Sequence, residues 1–158
     1  MEAVDLIRWL HVIGACVLLG TGAGIAFFML MAHRTERPVI IAHTLSIVVI
    51  ADALFTAVAA VMQPVSGIGL AWMTGWSLSE GWIILSVVLY LVVGAFWLPV
   101  VWIQIKLRDL ARQAEEADMP LPQAYFRLFR VWFYCGFPAF FAMLVIVWLM
   151  LMRPDISW

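Results

Sequence analysis

The chain has 158 residues, 66% of them hydrophobic and only 12% charged, with a net charge of −1. Soluble domains carry about twice that share of charge, so a water-facing enzyme and a disordered tail are both excluded. The near-neutral balance gives no basic footprint for nucleic acid, and the two cysteines, Cys16 and Cys135, make no disulfide scaffold. A mean hydropathy of +1.04 instead describes an integral membrane protein whose first partner is the lipid bilayer.

A spanning helix needs about 20 mostly apolar residues. Four stretches qualify, at residues 6–31, 39–62, 82–104 and 129–152. Runs such as Met143-Leu144-Val145-Ile146-Val147 suit lipid-buried helices and not the short alternating strands of a barrel. The predicted fold is all-α: one domain, a four-transmembrane-helix antiparallel bundle. Before the first span, Glu2 and Asp5 precede Arg8. The start is therefore not basic, and the apolar run is too long for a signal peptide.

The spans are joined by a short turn from His33 to Pro38, an outer loop over residues 63–81 and a cytoplasmic loop over residues 105–128. The outer loop is Gly-rich and carries Trp72 and Trp76, so it is expected to lie along the headgroup level. The stretch from Lys106 to Glu116 has helical character and extends the third helix, until Pro120 and Pro122 end it. Of nine Lys and Arg residues, seven (Arg34, Arg37, Lys106, Arg108, Arg112, Arg127, Arg130) fall on the side of the first and third connections, against Arg8 and Arg153 on the other. The positive-inside rule places the seven in the cytoplasm and both termini outside. In a bacterium that is the inner membrane, with the termini on the periplasmic side.

Polar groups at membrane depth are costly and mark candidate sites. In the first helix, His11 lies roughly 7–8 Å below the outer boundary, and His33 closes the helix. The face His11, Gly14, Ala15, Leu18, Gly22, Ile25, Met29 is small below the histidine, and Gly20 and Gly24 add a G-x-x-x-G spacing. Such a face suits close helix packing or room for a flat macrocycle. His11 and His33 are 22 residues apart, roughly 33 Å along a helix, so they cannot share one iron. His11 would need Met62, Met150 or Met152 as a second ligand, while His33 and His43 have similar depths if their rings face each other. Asp52 sits near the middle of the second helix, with Thr56 four residues on and Ser46 six residues before it. A lone carboxylate there is neutral or paired, which suggests a proton or metal path or a structural hydrogen bond. Tyr90 and Gln104 complete the intramembrane polar set. The nine methionines are scattered and read as apolar filler rather than soft metal ligands.

Several segments carry a resemblance that covers the whole chain. They are Arg8-Trp9-Leu10-His11-Val12-Ile13-Gly14-Ala15, Ala32-His33-Arg34, Ala51-Asp52-Ala53-Leu54-Phe55-Thr56, Gln63-Pro64, Trp97-Leu98-Pro99 and Arg153-Pro154. Together they resemble an uncharacterised bacterial family of predicted integral membrane proteins. The first helix is also distantly similar to that of the bacterial membrane protoporphyrinogen oxidase and of copper-resistance D type membrane proteins. The oxidase resemblance implies heme b ligated by a histidine in this helix, and carries over only to His11 and His33. Where the oxidase has aromatic and Pro-Arg features, this chain has Gly22-Ala23-Gly24-Ile25 and Phe27-Phe28. What is implied is therefore heme binding, in electron transfer or assembly, without the oxidase activity. The competing expectations are a scaffold that docks other membrane subunits or a second copy through its glycine face, and a small proton or metal transporter using Asp52.

Overall fold

A computed structural model describes residues 2–156. Its regular structure is helical throughout: α1 (Ala3–His33), α2 (Pro38–Thr74), α3 (Gly81–Glu116) and α4 (Gln123–Met152). All four are long and apolar enough to cross a membrane. Antiparallel succession puts both termini and the α2–α3 loop at one end, the terminal end. The seven basic residues and the other two connections lie at the opposite, basic end.

The ends follow from local chemistry. Glu2 and Asp5 form a capping box on α1, and Pro38 occupies the first turn of α2, where its missing N–H costs nothing. Gly75 takes φ 77° after α2, with the Gly75 N–H on the Trp72 carbonyl and the Trp76 N–H on the Ala71 carbonyl. That is a Schellman cap. Asp118 makes the same cap after α3, with Met119 N–H on the Ala114 carbonyl.

The expected loop over residues 63–81 is corrected. α2 runs on to Thr74, and the connection shrinks to residues 75–80. Proline and glycine read as breakers by the rules of soluble proteins, but in lipid the chain must satisfy its own backbone groups, and a helix does so. Pro64 removes one i→i−4 bond and frees the Ala60 carbonyl; the Tyr90 hydroxyl of α3 donates to that carbonyl. The predicted extension of α3 is present, to Glu116, and α4 begins at Gln123, six residues before the expected start.

One turn of α2, Asp52–Thr56, is a π-helix, and the packing changes there. Before it, Pro38–Ala51 packs along α3; after it, Ala57–Thr74 packs along α1. α3 and α4 share the longest contact, while α1 and α4 touch little. The bundle is therefore tight at the basic end, around Met29, Ile41, Leu45, Leu107 and Tyr125, with a smaller core of Ala71, Trp82, Ile83 and Leu149 at the terminal end. Between these cores the helices splay.

Candidate functional site

The splay opens a cavity of about 710 Å³ reached by all four helices. Small residues make the space: Gly22 and Ala26 on α1, Ala57 and Ala60 on α2, Gly94 on α3, Gly136 and Ala139 on α4. A Cβ added to Gly22, Gly94 or Gly136 would meet nothing within 4 Å. The volume lies in the range of small-molecule pockets, which are mostly apolar with a few converging polar groups.

Those polar groups are present. Asp52 and Thr56 come from the π turn, Trp97 and Gln104 from α3, and Trp132 from α4. Asp52 is 4% exposed and Gln104 1%. Thr56, Trp97 and Gln104 face the Asp52 carboxyl, yet Asp52 Oδ2, Thr56 Oγ1, Trp97 Nε1, Gln104 Oε1 and Trp132 Nε1 are all buried without a hydrogen-bond partner. Buried polar atoms are ordinarily paired, and an orphan costs roughly 1–3 kcal/mol. Five orphans on the wall of one cavity are a concentrated departure from that rule. Asp52 and Thr56 open and close the π turn and are both buried, and such turns recur at functional sites.

Four of the sequence-derived candidates thus come together: Asp52, Thr56, Tyr90 and Gln104 all line the cavity. The histidines do not. His11 Nδ1 lies 2.8 Å from Ser66 Oγ, and the His11 carbonyl accepts from Gln63 Nε2 at 2.8 Å. Gly14 admits that amide, since a Cβ there would overlap it, and Gly67 clears space beside the His11 ring. His33 stacks on Phe129 at 3.6 Å and lies 3.3 Å from the Tyr125 hydroxyl. His43 is exposed. A shared site for His33 and His43 depends on their rings facing each other, and the His33 ring is held against the α4 aromatics Tyr125, Phe126 and Phe129. Ser46 accepts from Arg112 instead of approaching Asp52.

Gly22 lines the cavity, but no histidine does. The space a macrocycle would need and the ligand it would need are therefore in different places, and the donor set does not fit a histidine-ligated heme in this cavity. Among the described residues no group of three or more His, Cys, Asp or Glu could hold a metal. Gly20 and Gly24 face no neighbouring helix within the chain, so the expected close packing is not made there.

Trp97 and Trp132 were not singled out from the sequence. For Trp97 the available signal was depth, since indoles favour the interface and it stands seven residues inside the 82–104 span; Trp132, three residues into the 129–152 span, gave no such signal.

No curated protein and no solved structure matches the chain. The family model described as "Predicted integral membrane protein (DUF2269)" matches residues 5–154. With nearly all of its length matched and four helices fit to cross a membrane, the chain belongs to this family of predicted integral membrane proteins.

Proposed function

We propose that the protein binds a lipophilic small molecule within the membrane, with the ligand's polar group at the Asp52 cluster and its body in the small-residue cavity. The observation that carries this reading is the coincidence of five unpaired buried polar atoms with one apolar cavity. A ligand that reaches the site through lipid arrives already desolvated, so the apolar walls cost it little and the polar cluster selects it.

The test is equilibrium binding of a compact neutral probe, 1-adamantanol, to the full chain in nanodiscs, with empty nanodiscs as the partition control. Wild type is expected to retain probe above that control. Gly94→Leu, which fills open space on the cavity wall, is expected to lose the excess. Equal retention by wild type and Gly94→Leu would overturn the reading.

A transport role is the second reading, favoured by a carboxyl that faces a cavity at mid-membrane. It predicts that Asp52→Asn abolishes proton or metal flux in liposomes, and unchanged flux would sink it. A heme-dependent role, as the distant oxidase resemblance implies, would have to place the macrocycle at His11 outside the cavity. Soret absorbance that survives His11→Ala would exclude that ligand. Gly20 and Gly24, unpacked within the chain, are the residues a docking partner or second copy would use. The basic residues gathered at one end support a cytoplasmic placement for it, with both termini outside the inner membrane of a bacterium.

A further inference from the structure

The nature of the orphaned atoms narrows the ligand. Three of the five are oxygens able to accept, Asp52 Oδ2, Thr56 Oγ1 and Gln104 Oε1, on residues that line the one cavity, with the Thr56 and Gln104 side chains beside the Asp52 carboxyl. The cavity wall holds one acidic residue and no Lys, Arg or His. Of the arginines beyond the cavity on α3, Arg108 is engaged with Asp109 and Arg112 with Ser46. A carboxylate in such a place lacks a cation, and an ammonium group supplies that charge together with three donors for the unpaired oxygens. Aromatic walls from Tyr90, Trp97, Trp132 and Phe133 suit a positive charge further. A bare alkali ion would satisfy the oxygens but leave about 710 Å³ of apolar space unused. A cation with an apolar body fills both.

We propose that the cavity takes lipophilic primary amines as ammonium ions, held by oxygens of Asp52, Thr56 and Gln104, with the apolar body against Gly22, Gly94 and Gly136. This rests on the small-molecule reading above and adds the charge and class of the ligand. The indole N–H of Trp132 remains for an acceptor elsewhere on the same molecule.

The experiment uses the full chain in phosphatidylcholine nanodiscs, whose net-neutral lipid does not concentrate cations. Two radiolabelled probes share one cage, 1-adamantylamine and 1-adamantanol. The amine is expected to bind at least about tenfold tighter than the alcohol, as a charge-assisted contact should. Asp52→Asn is expected to remove that difference while keeping alcohol binding, and the retained alcohol binding shows that the variant is folded. If Asp52→Asn does not fold, Thr56→Ala and Gln104→Leu decide; each should weaken the amine more than the alcohol. Gly94→Leu should abolish both. Amine and alcohol bound alike, and both lost in Gly94→Leu, would overturn the amine inference and leave the cavity reading standing. Amine binding indifferent to all three polar variants would overturn the assignment of the cluster. Neither probe bound above empty nanodiscs would overturn both readings.

Discussion

Tyr90 and Pro64 show how single side chains repair a membrane helix. Pro64 frees the Ala60 carbonyl, and Tyr90 supplies the donor from the neighbouring helix. Tyr90→Phe should therefore cost about 1–2 kcal/mol, since the carbonyl then faces hydrocarbon unpaired. In a Pro64→Ala background the loss should nearly vanish, because residue 64 regains an N–H for Ala60. Reversible unfolding in mixed micelles measures both, and equal losses in the two backgrounds would contradict the repair. At the terminal end, Arg153 lies over the rings of Trp76 and Trp82 at 5.5 and 5.8 Å. Ile156 closes on Gly81, where a Cβ would overlap the Ile156 carbonyl. Gly81→Ala should push the C-terminal segment off α3 and speed its removal in limited proteolysis. An unchanged cleavage rate would show that this contact does not hold the segment.

At the scale of elements, α2 carries the most information. It spans 37 residues, about 55 Å at 1.5 Å per residue, against a hydrocarbon core of about 30 Å. Its last turns therefore stand beyond the core, which fits Trp72 at 85% exposure. The four spans were legible because a continuous apolar run is the strongest signal a sequence contains. The end of α2 was not legible. Pro64, Gly67 and Gly69 look like a loop until Tyr90 is seen to serve the freed carbonyl and His11 to occupy the space beside Gly67. The π turn was equally hidden, since Asp52-Ala53-Leu54-Phe55-Thr56 contains no breaker. A π turn accommodates one residue more than an α turn. Deleting Leu54, which is exposed, should restore regular helix, leave the His11–Ser66 and Tyr90–Ala60 contacts near their present register, and re-aim the Asp52 and Thr56 side chains that the turn presents to the cavity. Ligand binding should fall severely while helix content by circular dichroism stays within a few per cent of wild type. Retained binding would mean that the π turn does not build the site.

For the whole molecule, the two cores and the splay between them explain why the site lies mid-bundle. The rarity of polar groups in lipid singled out Asp52, Thr56, Tyr90 and Gln104 one by one, since each must face protein or a cavity; that they line the same cavity is a fact of the fold. The same rule gave no means of telling which polar residues are already satisfied. His11 and His33 prove to have partners in Ser66 and Tyr125, while the Asp52 cluster does not. That distinction needs three-dimensional neighbours. So does the role of the glycines, which a pattern reads as packing surface and the fold uses as cavity wall. Joint replacement of Gly94 and Gly136 by leucine should raise thermal stability, by removing two helix-interior glycines and filling empty space, while abolishing ligand binding. A variant both less stable and fully binding would argue against an open cavity there. The central claim is that this cavity admits a small lipophilic molecule beside Asp52. Bromine anomalous diffraction from crystals grown in lipidic mesophase with 1-bromoadamantane tests it most directly. The expected result is a peak enclosed by Asp52, Gly94 and Gly136; peaks confined to the lipid-facing surface, with none between the helices, would contradict it.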